Sequence, residues 1–353
     1  MIRRDRVHGG GASEGEIDFS ISINPLGPPP CALKAYGSAA ARIAVYPEPY
    51  PRKLEAAVAK WLGVPSDFVL AGNGSTQLIY LTARVFRPRL PAVVIPTFSE
   101  IANSLIVGGS APFAIATSRE NEFNLDRDAV VEALRSGADA VFIGRPNSPT
   151  GSMLDIDDAG AIAAECARYG AWCVFDEAFI EFVRGGRSCV EFVRANPRVL
   201  VLRSLTKIFA IPGLRLGYLV ANPNTLNRVR EAIEPWSVNS IADCVAQACL
   251  EVANDFIRET CDYVVKETVR LREALASTSV VHAYPSAANF LLLEVPSERY
   301  PDEFQSALMS SGIKVRNLRE LPGCSTGTYR VGIRKTADNN LLADAARAWC
   351  SLR

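Results

Sequence analysis

Val199-Leu-Val-Leu-Arg-Ser204-Leu-Thr-Lys207-Ile-Phe-Ala-Ile-Pro-Gly-Leu-Arg215-Leu-Gly217 begins as an apolar strand and then changes character. After the strand, one lysine sits among small hydroxyl residues, a Pro-Gly bend follows, and one arginine closes the run. A lysine that acts as a nucleophile needs surroundings that lower its pKa. A nearby arginine can do this, or it can hold an anionic group of a cofactor. In isolation the same residues read as a surface loop with two ordinary cations, so the segments upstream must decide between the readings.

Working outward, short apolar strands alternate with helical stretches. Strands are predicted at 92–95, 111–116, 140–143, 171–175, 199–202 and 216–220, with helices at 126–134 and 157–169, the second closed by Gly170. Strands that are apolar throughout and separated by helices form a mostly parallel sheet covered on both faces. Helical periodicity also marks 52–62, stopped by Gly63, and 76–85. The first thirty residues are rich in Gly and Pro and end in Asn24-Pro-Leu-Gly-Pro-Pro-Pro30, an extended arm. Beyond Trp236 the rhythm changes to one long helix over 241–277, strands at 280–284, 289–295, 313–315 and 328–333, and a last helix over 337–349. The expected organisation is an α/β fold: an arm over 1–30 that packs with the small domain, a large domain over 31–240 and a smaller α+β domain over 241–353. Ligand sites favour such a junction.

Composition excludes several function classes. A chain of 353 residues that is 48% hydrophobic can bury a large core, and its 38 basic and 38 acidic residues create no global field for nucleic acid or an anionic membrane. The nine cysteines are odd in number and form no C-x-x-C pair, which argues for a reducing compartment and against a metal site. Cys173, in Ala-Trp-Cys-Val-Phe, reads as a small buried hydrophobe. Arg3, Arg4 and Arg6 are followed by glycines and acids instead of an apolar stretch, and no segment has the length and apolarity to span a bilayer. A soluble, cytoplasmic protein is the expectation.

Three upstream segments carry chemistry. Ala71-Gly-Asn-Gly74-Ser75-Thr76-Gln77 is glycine-rich and opens a helix, so backbone N–H groups would meet an anion there, unless Ser75 or Thr76 is a plain N-cap. It matches neither a Walker A nor a G-x-G-x-x-G pattern. Phe175-Asp176-Glu177-Ala178-Phe179 puts a carboxylate at the carboxyl end of a buried strand, where sites in open α/β sheets form. It could pair with a protonated ring nitrogen, or cap a helix. In Arg145-Pro-Asn147-Ser-Pro-Thr-Gly151 two prolines fix a turn that could aim the Asn147 amide, or simply turn the chain.

In this order, with Ser-x-Thr-Lys and Arg after them, the segments resemble those of the fold-type I pyridoxal-phosphate enzymes, in the class I/II aminotransferase group, along nearly the whole chain. The resemblance implies that Lys207 carries the pyridoxal 5'-phosphate covalently, Asp176 pairs with its ring nitrogen and Asn147 bonds its ring hydroxyl. Gly74, Ser75, Thr76, Ser204 and Arg215 would hold its phosphate, and Phe98 would stack on its ring. Tyr46, in Tyr46-Pro-Glu-Pro-Tyr50, matches a tyrosine that reaches the neighbouring subunit's phosphate, which implies a homodimer. Arg330 matches the arginine that grips the substrate carboxylate.

Two branches are most similar: histidinol-phosphate aminotransferase and the threonine-phosphate decarboxylase of cobalamin biosynthesis. His8-Gly-Gly10, Asp18-Phe-Ser-Ile-Ser-Ile-Asn24-Pro-Leu-Gly27, Asp176-Glu-Ala-Phe-Ile-Glu-Phe182, the run from Arg203 to Tyr218, and Pro235-Trp-Ser-Val-Asn239 look like the decarboxylase. Phe179 stands where aminotransferases more often carry tyrosine. His8, Asn24, Arg316 and Arg334 join Arg330 as substrate-binding residues, with Arg319 a further possibility for a phosphate and Arg316 favoured because it follows a short strand. Ser22, Ser148 and Gln77 depart from the branch pattern of Asn, Asn and Glu. The implied reaction is decarboxylation of L-threonine O-3-phosphate to (R)-1-amino-2-propanol O-2-phosphate, or of its phosphoserine equivalent. The alternatives are transamination of histidinol phosphate or a related amino acid, and a protein that keeps the cofactor without turnover.

Overall fold

A computed structural model describes residues 8–351, apart from 279, 297 and 298. Its main sheet has seven strands in the spatial order Val69–Gly72, Gly217–Ala221, Val199–Ser204, Trp172–Asp176, Ala140–Gly144, Pro91–Ile95 and Phe113–Ala116. Neighbours run parallel except around Gly217–Ala221, which is antiparallel to both of its partners. The main sheet is thus the mostly parallel α/β sheet expected from the strand rhythm.

Side-chain alternation builds a core on each face of this sheet. Val199 and Val201 enter one apolar cluster, with Phe175 and Tyr218; Leu200 and Leu202 enter the other, with Val174 and Leu219. The flanking helices begin and end where local chemistry directs. Asp126 and Asp155 accept hydrogen bonds from the N–H groups of Asp128 and Asp157, capping Arg127–Arg135 and Ile156–Arg168. Gly63, at φ 70°, ends Arg52–Leu62 in the left-handed conformation that glycine adopts without strain.

Four features differ from the sequence reading. Val69–Gly72 is a buried edge strand, too short and too close to the glycine run to show periodicity. Pro30 starts a helix, Pro30–Ala39, because proline's fixed φ suits a first helical turn even though it forbids later ones. The long helix is two, Ser240–Glu251 and Ala253–Ala276, broken at Val252. The strand expected at 313–315 is two short ones serving different sheets: Ile313–Lys314 pairs with Ile17–Asp18, and Arg316–Asn317 pairs with Thr328–Gly332. The second sheet has four strands, ordered Arg316–Asn317, Thr328–Gly332, Phe290–Glu294 and His282–Ala283.

The N-terminal arm ties this second sheet to the Lys207 segment. Phe19 N–H donates to the Lys314 carbonyl and Gly332 N–H to the Phe19 carbonyl, both at 2.8 Å. Farther along, Asn24 N–H donates to the Lys207 carbonyl at 3.0 Å. Among the described residues no helix is long and apolar enough to cross a membrane, no acidic, histidine and cysteine side chains gather as a metal site, and the nine cysteines are free.

Candidate active site

The strands Trp172–Asp176 and Val199–Ser204 run in parallel with Asp176 in register with Leu202. Their carboxyl ends therefore reach the same level, and the second continues into the single helical turn Leu205–Ile208 that carries Lys207. Here the chain opens a cavity of roughly 500 Å³, lined among others by Asp176, Lys207, Arg215, Arg316 and Arg330. Burial pushes the Asp176 carboxyl up to about 6, against the Ala178 N–H it accepts and the nearby Lys207. Burial also brings the Lys207 amine down to about 8, helped by Arg330 and Arg215 and opposed by Asp176. The amine is therefore closer to its neutral, nucleophilic form at physiological pH than an ordinary lysine.

An anion cradle occupies one end. The helix Gly74–Phe86 starts at the cavity, and the side chain of its N-cap residue, Asn73, makes no capping bond. Ser75 and Thr76 lie inside the first turn instead of at the N-cap position, and the N-cap side chain leaves the first N–H groups uncovered beside the positive end of the helix. Gly74 has φ +80°, and a Cβ on it would lie 2.7 Å from Arg215 Nη2. A Cβ on Gly217 would lie 2.4 Å from the Ser75 nitrogen. Both glycines are needed to bring Arg215 and the helix start together. Ser75, Thr76, Ser204 and Thr206 complete the lining, with Ser204 and Thr206 hydroxyls hydrogen-bonded at 2.8 Å.

At the mouth, Phe98 lines the cavity with its ring centroid 6.2 Å from that of His8. His8 Nε2 lies 3.2 Å from Glu100 Oε1, and Tyr80 donates to the other Glu100 oxygen at 2.6 Å. At the far side, Arg330 Nη1 donates to Ser148 Oγ at 3.0 Å and Nη2 to the Ser20 carbonyl at 2.9 Å. Arg316 and Arg330 are direct cross-strand partners.

Not every residue named from sequence comes to this cavity. Asn147 does not line it: its amide nitrogen donates to the Pro96 carbonyl and Thr150 Oγ1, and its oxygen accepts from Thr97. Both amide hydrogens and one bond to the oxygen brace the turn, and the next residue, Ser148, lines the cavity instead. Asn24 is likewise committed, donating to the Ile208 carbonyl and Thr260 Oγ1, so it fastens the arm to the Lys207 segment. Arg334 bonds Asp338 and the Asp18 carbonyl, and Arg319 pairs with Asp302; neither lines the cavity. Tyr46 is 82% exposed in this chain and lies outside it, against Trp236.

Sequence reasoning passed over the support behind the site. Glu177, next to Asp176, is fully buried between Arg145 at 3.0 Å and Arg203 at 3.5 Å, and Arg203, next to Ser204, also pairs with Glu181 at 2.8 Å. Arg145, Glu177 and Arg203, at or just past the ends of three neighbouring strands, with Glu181 in the following turn, are the available signal. Thr206, within the lysine run, also lines the cavity.

Pyridoxal phosphate needs an anion cradle, an amine within the same cavity, and a carboxylate for its ring nitrogen. The cradle that a Cβ at Gly74 would fill, the Lys207 amine and the buried Asp176 meet these needs together.

The family model for aminotransferase class I and II matches residues 14–346. Threonine-phosphate decarboxylase of Salmonella typhimurium is 35% identical over 332 residues, covering 94% of this chain and 90% of the relative. Histidinol-phosphate aminotransferase of Roseiflexus castenholzii is 32% identical over 340 residues, covering 94% and 89%. Among solved structures, histidinol-phosphate aminotransferase of Sinorhizobium meliloti in complex with pyridoxal-5'-phosphate superposes with a TM-score of 0.83 at 23% identity, covering 94% of this chain and 90% of that one.

Proposed function

The chain belongs to the aminotransferase class I and II family and is an enzyme dependent on pyridoxal 5'-phosphate; from that premise we propose that it decarboxylates an O-phosphorylated amino acid, with L-threonine O-3-phosphate as substrate. The observation that carries this reading is the pair Arg316 and Arg330, opposed across adjacent strands and both lining the cavity that holds Lys207. Two arginines aimed into one small cavity suit a small substrate with two anionic groups, a carboxylate and a phosphate. The 35% identity to a threonine-phosphate decarboxylase points the same way.

When bound, pyridoxal phosphate takes up the electron pair of a bond broken at the substrate's α-carbon. The protein's task is to choose that bond by orientation. Arg330 would hold the carboxylate and Arg316 the phosphate, with His8 at the mouth as a further phosphate donor. Anchoring both ends removes rotation about the α-carbon. Gly74, Ser75, Thr76, Ser204, Thr206 and Arg215 would hold the cofactor phosphate. Phe98 would cover one ring face, and Asp176 would sit at the ring nitrogen. Phe179 supplies no phenol to the ring oxygen, so Ser148 is the side chain of the Asn147 turn that remains to serve it. Lys207, with its amine near neutrality, would attach the cofactor and deliver the proton that replaces the lost carboxyl group.

We further propose that the working form is a homodimer. Ile43, Val45 and Tyr46 are 79%, 65% and 82% exposed and line one surface hollow, and the Tyr46 ring lies against a half-exposed Trp236. Such a patch favours a second copy over water, and it would carry Tyr46 towards the neighbour's site.

The test is product analysis with threonine phosphate: carbon dioxide and 1-amino-2-propanol phosphate are expected. A keto acid, formed only with an amino-group acceptor, would replace the proposal with transamination. Cofactor binding without either product would favour a non-catalytic role.

A further inference from the structure

We propose that Leu318 and Leu321 form a subsite for the β-methyl group of threonine phosphate and make the enzyme prefer it to serine phosphate; this rests on the reading above, in which Arg330 holds the carboxylate and Arg316 the phosphate. The two substrates carry the same amine, carboxylate and phosphate and differ by one methyl group. No ionic contact can tell them apart, so an apolar one must. Leu318 and Leu321 line the cavity that holds both arginines, and they belong to an apolar group, with Phe123, Tyr284 and Leu292, that no step of the reaction uses.

Strand alternation puts Leu318 beside Arg316. Residues two apart on a strand share a face, and the Leu318 N–H extends the ladder past Asn317 by donating to the Thr328 carbonyl at 2.9 Å. Tyr329, the partner of Asn317, faces the other way and is buried in a core with Phe304 and Trp349, whereas Leu318 packs with Leu292, the cross-strand partner of Arg330. The cavity face of this sheet thus carries two arginines with an apolar group at their side. A turn brings Leu321 to the same place: its N–H donates to the Leu318 carbonyl at 2.8 Å, and the Cys324 N–H donates to the Leu321 carbonyl at 2.9 Å. The turn is pressed against the segment that carries Phe98, since a Cβ on Gly323 would lie 2.8 Å from the Pro96 nitrogen. Behind the leucines, Phe123 and Tyr284 fill the space with ring centroids 5.1 Å apart. The wall is held from two sides and keeps its shape.

The β-carbon of the substrate joins the α-carbon to the ester oxygen of the phosphate. Two arginines on one sheet face that hold the two anions therefore fix this carbon close to that face, next to the leucines. A methyl group there leaves water for leucine side chains. A hydrogen in its place leaves a gap against a wall that does not close up.

The experiment measures binding and turnover by the holoenzyme. (R)-3-phosphonooxybutyrate and 3-phosphonooxypropionate are the amine-free relatives of threonine phosphate and serine phosphate, so calorimetric titration with each weighs the methyl group without chemistry. Wild-type protein should bind the butyrate about tenfold more tightly, the lower end of the range for one added carbon in an apolar pocket, and kcat/KM should favour threonine phosphate over serine phosphate by a similar factor. Leu318→Ala and Leu321→Ala should each bring both ratios towards one. Each ratio is taken within one variant, so a general loss of binding cancels. A variant that still binds the propionate is folded; where alanine does not fold, Leu321→Val makes a smaller trim and should move the ratios in the same direction. Ratios near one in the wild type, or ratios unmoved in every variant that binds the propionate, overturn the methyl subsite and leave the decarboxylation reading standing. Wild-type protein that decarboxylates neither substrate overturns that reading, and the subsite with it.

Discussion

Arg316 and Arg330 stand opposite each other as Cα partners on adjacent antiparallel strands, and both reach the cavity that contains Lys207. Like charges in this position repel across the ladder. Burial first, and Arg316 second, pull the Arg330 guanidinium down to about 10. A sheet that keeps two arginines so placed is arranged to receive anions, and the two need not receive the same one.

Separate roles can be read from ligand preference. With Arg316 changed to Gln, the KM for threonine phosphate should rise about ten- to a hundredfold, as for loss of a charge-assisted bond. Inhibition by unphosphorylated threonine should stay as it was. With Arg330→Gln both should weaken. If Arg316→Gln weakened threonine and its phosphate alike, the division of labour between the two arginines would be wrong.

The Lys207 amine, brought down to about 8 by burial and then by Arg330 and Arg215, sets the pH at which cofactor can attach. Only the free amine reacts, so reconstitution of cofactor-free protein should accelerate as pH rises and level off above about pH 8. Removing the positive neighbour in Arg330→Gln makes protonation of the lysine easier. The inflection should move to higher pH, and loading at pH 7 should slow. The rise of the bound-cofactor absorbance in stopped-flow mixing measures both; an unmoved inflection would remove Arg330 as a cause and leave burial and Arg215.

What the sequence made legible here follows from which signals are local. The alternation of apolar strands with capped helices is local, and it delivered the parallel sheet, the strand-end position of Asp176 and the turn carrying Lys207. The direction of a side chain within a turn is not local. Asn147 and Ser148 are neighbours, and only the positions of Pro96, Thr97 and Thr150 decide that the asparagine braces the turn while the serine faces the cavity. Asn24 shows the same limit, since its partners Ile208 and Thr260 lie far along the chain. The splitting of 313–317 between two sheets depends on the arm at Ile17–Asp18, which no window around 313 contains.

Asp176 offers a stability test whose sign depends on the cofactor. Its carboxyl titrates at about 6 in the fold, mainly through burial, against an ordinary value of 3.8. Between these values the folded state binds more protons than the unfolded state, so cofactor-free protein loses stability as pH rises through this window. Asp176→Asn removes that loss. At pH 7.5 the cofactor-free variant should be more stable than wild type, by on the order of 2 kcal/mol, and the advantage should fade towards pH 4. Loaded with cofactor, the order should reverse, because the carboxylate then has its partner. Thermal melts of both forms across this pH range decide the matter; a destabilised cofactor-free variant at pH 7.5 would contradict it.

Gly74 and Gly217 press on the anion cradle from opposite sides, and their alanine variants should fail differently. At Gly74 the added methyl meets Arg215 Nη2 at 2.7 Å, the mobile end of a long side chain, but the φ of +80° is itself unfavourable for alanine. The fold should survive with a cost of about 1 kcal/mol, while displacement of the guanidinium weakens cofactor binding by at least about tenfold, the effect of losing one charge-assisted contact. At Gly217 the methyl meets backbone on two sides, the Ser75 nitrogen at 2.4 Å and the Arg203 carbonyl at 2.9 Å. Neither can yield without parting the helix Gly74–Phe86 from the strand Gly217–Ala221. Gly217→Ala should therefore lower the melting temperature of cofactor-free protein well beyond Gly74→Ala and also abolish tight cofactor binding. Paired melts and cofactor titrations of the two variants check this, and equal melting temperatures with equal cofactor loss would show that the helix start is free to shift.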